Sequence, residues 1–498
     1  MLATSLTAAL VGIEGRLVRV EADTAAGFPK FTMLGLADSC VRESEGRIRA
    51  ALRNCGYEFK WDRRITVNLA PAHLRKVGSS FDLATAIGLL AADGGCSRDR
   101  LQELLLVGEL ALDGCVRPAA GLLPMMLTAR AHGIAAAVVP EANAREASLV
   151  PGLRVYPVRS LPEAVEIATA RELPPARPVT AGSALPAAAP DMADVRGQPL
   201  ARRALEIAGA GGHNLLLSGP PGAGKTMLAR RLPGLLPPLT EEESIQTSAI
   251  HSASGQPLDA LLSQRPFRCP HHTATEAALV GGGSTPRPGE ASLAHNGVLF
   301  LDELPEFQRR VLEALRQPLE EGWITIARAR AALRLPARFQ LVAAMNPCLC
   351  GFRGDPRRGC SCTPAQLQGY AGRLSGPLLD RIDIRVEVRA LSYAELTSPP
   401  GETTASLAAR VGAARARQRD RGTLNQSLTG ARLREVAVPD AAGTRLLAAA
   451  VDRYGLSARA HDRVLRVART IADLDDSGPI ATRHLAEALQ LRHLQSVL

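Results

Sequence analysis

No apolar run in this 498-residue chain approaches the roughly 18 residues needed to cross a bilayer, so a membrane partner is not expected. The opening stretch MLATSLTAALVGIEGRLVRVEAD has no basic leading segment and no sustained apolar core. It reads as strand, not as a signal peptide, and a cytoplasmic location is the expectation. Internal repeats are absent, which argues against a solenoid or propeller. Lysine is scarce as well. Of 59 basic residues only Lys30, Lys60, Lys76 and Lys225 are lysine, so a lysine inside a motif stands out.

What is present fits a multidomain globular protein, with 46% hydrophobic and 22% charged residues. The net charge of +10 suits an anionic partner such as nucleic acid, and an arginine-rich composition explains it equally well. Residues 1–170 mix strand patterns (GRLVRVEAD, ITVNLA) with helical ones (VRESEGRIRAALRNCG, FDLATAIGLLAADG), which predicts an α+β domain. Residues 171–191 are rich in Pro and Ala and read as a linker. From 192 to 395, strand-like and helical runs alternate as in a parallel α/β sheet, and 396–498 read as helices.

The chemistry concentrates in the α/β segment. A strand ending at Ser218 runs into Gly219-Pro220-Pro221-Gly222-Ala223-Gly224-Lys225-Thr226, followed by the helical run that Met227 opens. Such a loop wraps phosphates with backbone N–H groups and adds the positive end of a helix. Lys225 would reach the β- and γ-phosphates and Thr226 would offer its hydroxyl to Mg²⁺, which makes ATP the expected ligand. A second strand, residues 297–301, ends in Asp302-Glu303, where Asp302 would hold Mg²⁺ and Glu303 would polarise an attacking water. A third, residues 339–345, ends at Asn346, which could contact the γ-phosphate or the water; a turn Asn before Pro347 is the bland alternative. His271 and His272 lie in an insertion before the second strand and are expected to be structural or close to DNA, not metal ligands.

GPPGAGKT, the stretch from PFRCPHHTATEAALVGGG through RPGEASLAHNGVLFLDELPEF to LRQPLEEG, and AAMNPC resemble the Mg-chelatase-like branch of AAA+ ATPases, with the ComM (YifB) group the closer match over nearly the whole chain. The resemblance implies an AAA+ P-loop core with a helical lid. It also implies an N-terminal domain similar to the Lon protease domain, of the ribosomal S5 domain 2 type. Arg381, in SGPLLDRIDI, matches an arginine finger that reaches a neighbouring subunit's γ-phosphate, which implies a homo-oligomer, usually a hexameric ring. Arg459 matches a sensor arginine on the lid, with Arg466 the lesser candidate. Members of this group are similar to helicases that drive branch migration of DNA, single-stranded or branched, in natural transformation and recombination. The segment EGWITIARARAALRLPARF reads as a hairpin with Arg328, Arg330 and Arg334 around it, and in related rings such a hairpin faces the pore and grips phosphate backbone. Arg410, Arg415, Arg417, Arg419 and Arg421 form a further basic run that a solvated helix face explains as well. The other readings are an ATPase subunit of a chelatase that inserts metal into a tetrapyrrole, and a nucleotide-gated scaffold or chaperone.

Two features complete the pattern. Ser80 stands near the position of the Lon nucleophile, but Met125 stands where that fold places its lysine base, so no peptidase activity is expected. Cys348, Cys350, Cys360 and Cys362 pack four of the nine cysteines into residues 348–362, a cluster that favours a structural Zn²⁺ over disulfides. A reduced flexible loop or an iron–sulfur cluster are its alternatives. The other five cysteines are expected to be buried small hydrophobes.

Overall fold

The computed structural model describes residues 1–98, 100–170, 172–176, 190–283, 287–328, 331–355 and 357–492. Most of the expected linker therefore lies outside the described residues. The chain divides into two compact units. The first comprises Met1–Leu185, Glu241–Leu262 and Gly283–Pro288, and the second the remainder. The stretch 192–395 is thus not a single block, because two pieces of it pack with the N-terminal unit.

In the first unit, β1 (Leu2–Val11), β2 (Glu14–Ala25), β3 (Lys30–Leu34), β4 (Arg64–Ala70), β5 (Leu104–Leu106), β6 (Ala136–Pro140) and β7 (Arg154–Val158) form one mixed sheet. Its order is β3-β4-β2-β1-β5-β6-β7. The alternation of β2 decides which face is covered: Val18, Val20 and Ala22 point into a core with Ile65, Val67, Leu69 and the helix Asp82–Asp93. That helix is buried almost all round, as its unbroken apolar run requires. The helix Leu122–Ala131 covers the other face with Leu6, Ala8 and Leu105. Met125 is one of its buried residues, and Ser80 sits in a turn whose carbonyl accepts from the Gly108 N–H at 3.1 Å. The helix Glu241–Ala253 joins this unit through polar contacts: the Gly121 N–H donates to the Ser252 carbonyl (3.1 Å) and the Ser252 hydroxyl donates to Glu146. Burial pushes the Glu146 carboxyl above its usual range.

In the second unit, β8 (Leu215–Ser218), β9 (Phe267–Arg268), β10 (Val298–Leu301), β11 (Trp323–Arg328), β12 (Ala331–Pro336), β13 (Gln340–Met345) and β14 (Ile384–Glu387) follow. Five of them form a parallel sheet in the order β9-β10-β13-β8-β14. β8, β10 and β13 are buried at every position, as expected for short apolar strands covered on both faces. β8 therefore has β13 on one side and β14 on the other, and the C-terminal ends of three motif-bearing strands converge on one edge. β11 and β12 pair as the expected antiparallel hairpin.

Beyond β14 the described chain is helical, with Thr404–Asp420, Ala441–Tyr454, Ala458–Leu474 and Thr482–Gln490 as the longer elements. The arginine run on the first of these is not a solvated face. Arg415 is buried and donates to the Gly209 carbonyl (2.7 Å), Arg410 pairs with Glu206 and Glu402, and Arg417 donates to the Asp473 carbonyl (2.7 Å). Arg421, just past the helix, donates to Asp473 Oδ1 at 2.9 Å, and only Arg419 is exposed among the five. The cysteines outside the cluster also depart from expectation: Cys40, Cys55 and Cys96 are half-buried, and Cys115 and Cys269 exposed.

Asp473 is the hub of the helical region. It is 1% exposed and also accepts from Asn425 Nδ2 (2.7 Å) and Arg469 Nε (3.1 Å). Removing one partner of a buried ion network leaves uncompensated charge. Asp473→Ala is expected to destabilise the second unit by about 3–5 kcal/mol, read as a lower urea midpoint of the full chain.

Candidate nucleotide site

The phosphate loop folds as its glycines dictate. Gly222 (φ 76°) and Gly224 (φ 91°) take left-handed backbone that other residues adopt at a cost. Gly219 is required for another reason: a Cβ there would stand 1.9 Å from the Val388 carbonyl oxygen. The loop then opens the helix Lys225–Ala229, from which Met227 packs onto the sheet core.

The side chains named from the sequence meet at this edge. Lys225, itself buried, donates to the carbonyls of Gly219 (2.7 Å) and Pro220 (2.9 Å) and to Asn346 Oδ1 (3.0 Å). Burial pulls its pKa below the ordinary lysine value, and the carboxylates of Asp302 and Glu303 pull in the opposite direction. Thr226 Oγ1 donates to Asp302 Oδ2 at 2.7 Å, so the hydroxyl and carboxylate suited to one hard cation already touch. Glu303 holds a positive φ of 53°, an uncommon conformation for a non-glycine residue and one that clusters at functional sites. Its backbone N–H donates to Asp302 Oδ1 (3.0 Å).

Two participants have roles that the sequence did not assign: His272 was expected to be structural or close to DNA, and Tyr370 was not singled out. His272 Nδ1 lies 3.1 Å from Glu303 Oε2, and its ring stands beside His271 with centroids 4.2 Å apart. Tyr370 donates its hydroxyl to the Asn346 carbonyl at 3.0 Å. Both come from segments remote in sequence from the residues they meet, so nothing local signals either partner.

Other candidates are placed differently. The Arg381 side chain is about one-tenth exposed and ion-pairs with Glu320, so reaching a neighbouring subunit's phosphate requires exchanging that partner. Arg459 is exposed on the first turn of the helix Ala458–Leu474. Arg334 is exposed, with its guanidinium 6.0 Å from the Trp323 ring centre. Arg328 ends β11, its side chain not described, and Arg330 lies outside the described residues. The four clustered cysteines converge, with their sulfurs all within 4.8 Å of one another, a set that could hold a metal ion. Backbone N–H groups of Phe352 and Ser361 stabilise the Cys350 thiolate and hold its pKa down at about 5. Among the described residues no helix is long and apolar enough to cross a membrane.

A parallel sheet with a phosphate loop after β8, an acidic pair after β10 and an amide after β13 defines an AAA+-type nucleotide-binding core of the Mg-chelatase kind. Family comparison agrees along the chain. Residues 191–396 match the family described as magnesium chelatase, subunit ChlI; residues 20–143 match subunit ChlI of Mg-chelatase; and residues 401–492 match the ChlI C-terminal family. The chain is 44% identical over 506 residues to "Competence protein ComM" of Haemophilus influenzae, covering 100% of this chain and 98% of that protein. It is 45% identical over 497 residues to "Uncharacterized protein YifB" of Escherichia coli, covering 99% and 97%. Similarity to "Magnesium-chelatase subunit ChlI" of Porphyra purpurea is 30% over 121 residues, 24% of this chain and 28% of that one. The chain belongs to the ComM/YifB family of Mg-chelatase-like AAA+ ATPases.

His272 gives a test of the geometry. His272→Ala is expected to lower the ATPase turnover by about tenfold through loss of Glu303 orientation while leaving the Kd for nucleotide unchanged. A parallel fall in nucleotide affinity would assign His272 to binding instead. Steady-state kinetics alongside equilibrium binding separates the two.

Proposed function

We propose that this chain is an ATP-driven ring motor of the ComM type, a DNA helicase that promotes branch migration in natural transformation or homologous recombination. The observation that carries the reading is the joining of Lys225, Asn346, Thr226, Asp302, Glu303 and His272 at one sheet edge. The full-length similarity to a protein named for competence supports the DNA role over the tetrapyrrole chelatase, whose similarity is short.

In this reading ATP is the substrate. Residues 219–226 wrap its phosphates, and the Lys225 ammonium exchanges its bonds to the Gly219 and Pro220 carbonyls for phosphate oxygens. Thr226 and Asp302 would hold Mg²⁺, which would supply charge neutralisation at the phosphates. Glu303, turned by its backbone and met by His272, polarises the attacking water, and Asn346 orients the γ-phosphate or that water. Arg381 leaves Glu320 to act on a neighbouring subunit's nucleotide in a hexameric ring, with Arg459 as a lid sensor. Arg328, Arg330 and Arg334 of the segment 321–339 grip phosphate backbone of single-stranded or branched DNA. The N-terminal unit is a Lon-like domain without peptidase activity, Met125 standing where a base is needed. The motor works in the cytoplasm, and a structural zinc in the cysteine cluster belongs to the same reading.

The test is the ATPase rate of the full chain with and without a four-way DNA junction. Junction or single-stranded DNA is expected to stimulate hydrolysis severalfold. Lys225→Ala is expected to abolish nucleotide binding, and Glu303→Gln to keep binding while losing about 10²-fold or more in turnover. Robust hydrolysis indifferent to any DNA overturns the motor on DNA and directs the search to tetrapyrrole or protein partners.

A further inference from the structure

The four cysteine sulfurs form a compact cluster. Cys348 lies 3.3 Å from Cys350 and 3.7 Å from Cys360, and Cys350 lies 3.6 Å from Cys360. The fourth, Cys362 Sγ, accepts from the Cys350 backbone N–H at 3.3 Å. A tetrahedron with metal–sulfur bonds of about 2.3 Å has edges of roughly 3.8 Å, so the set fits zinc with shifts of a few tenths of an ångström. Four sulfur donors select a thiophilic ion over Mg²⁺ or Ca²⁺. The loop between the two pairs needs such an anchor. Among its described residues the internal contacts are those of a turn: Asp355 Oδ1 accepts from the N–H groups of Arg357 (2.7 Å) and Arg358 (3.1 Å), the Asp355 N–H donates to the Phe352 carbonyl (3.1 Å), and the Arg358 guanidinium lies 5.0 Å from the Phe352 ring centre.

What this loop touches gives the cluster a consequence. Cys348 is buried two residues after Asn346, the amide that accepts from Lys225. A Cβ on Gly351 would sit 2.7 Å from Pro221 Cδ, so the loop backbone lies directly on the phosphate loop. Arg353 and Arg357 line the same cavity, of about 830 Å³, as Gly219 and Pro220. The Arg357 guanidinium also donates to the Leu391 carbonyl at 3.1 Å, so the loop spans from the phosphate loop to the chain beyond β14.

We propose that Cys348, Cys350, Cys360 and Cys362 bind one zinc ion, and that this knot braces residues 348–362 against the phosphate loop so that metal occupancy sets nucleotide affinity. The second half rests on the nucleotide site assigned above. Without the ion the two cysteine pairs separate, the loop no longer supports Pro221 and Asn346, and the Lys225 contacts must be organised by the nucleotide itself at a cost in affinity.

The experiment uses the full chain. Zinc is measured by elemental analysis, cobalt is substituted for spectroscopy, and binding of a fluorescent ATP analogue is titrated in zinc-loaded, chelator-stripped and zinc-restored protein, beside Cys360→Ser/Cys362→Ser and Lys225→Ala. The expected result is about one zinc per chain in wild type and in Lys225→Ala and little in the double serine variant. Cobalt should give the thiolate charge-transfer and tetrahedral d–d bands. Stripping should raise the Kd for the ATP analogue by about tenfold, and zinc should restore it. Stripping and restoring one protein separates the brace from misfolding of a cysteine variant. Wild-type protein with no zinc and no cobalt–thiolate spectrum overturns the metal site. Zinc present with an unchanged Kd after stripping overturns the brace. A zinc-bearing wild type that binds no ATP analogue overturns the nucleotide reading, and the brace with it, while the cobalt spectrum still decides the thiolate site.

Discussion

The ammonium of Lys225 is the charge around which the second unit is arranged. A buried ammonium is tolerated only if its donors are satisfied. Here two loop carbonyls and the Asn346 amide do so, none of them carrying a charge. Those acceptors exist at that point because β8 and β13 are adjacent and parallel, with Ser218 in register with Met345. The carboxylates that offset the charge come from the end of β10, the next strand along. Strand order, loop glycines and acidic pair are thus a single electrostatic solution. It is also an incomplete one, since neutral carbonyls are weaker partners for a buried cation than phosphate oxygens are.

Much of this was legible before the structure, for a physical reason. The phosphate loop, the acidic pair and the hairpin are local: glycine spacing, a short apolar run ending in charge, and alternation between turn signals each act over one short stretch of chain. The strands around residues 215–218, 298–301 and 340–345 follow from that local grammar. The contacts of His272 and Tyr370 were not legible, because they depend on which distant groups these side chains meet, the Glu303 carboxylate and the Asn346 carbonyl. The excursion of Glu241–Leu262 into the first unit was equally hidden. Its helix has an acidic first turn and an ordinary sequence, and nothing local says which core it joins.

The arginines teach a related point about charge. The composition permits a broad basic surface, yet much of the positive charge in and against the helical region is consumed internally. Arg203 pairs with Glu206, Asp475 and Glu487, Arg410 with Glu206 and Glu402, and Arg421 and Arg469 with Asp473. Guanidinium groups suit this use, since their planar donors satisfy several carboxylate and carbonyl oxygens at once. A surplus of arginine in a sequence therefore measures both the capacity to meet anions outside the fold and the capacity to cross-link it inside.

The division of the chain bears on how the protein is made. The first unit draws on Met1–Leu185 and then on Glu241–Leu262 and Gly283–Pro288, so the chain passes between the units five times. On a ribosome, residues 1–185 emerge without the helix whose Ser252 caps the Gly121 N–H and meets buried Glu146. The N-terminal unit must wait, its Glu146 carboxylate held only by the Leu123 N–H (3.2 Å) and the Asn143 amide (3.2 Å), until the phosphate loop and the helix after it have already been synthesised. Vectorial synthesis thereby interleaves the maturation of the two units, and neither can be finished as a separate module in chain order.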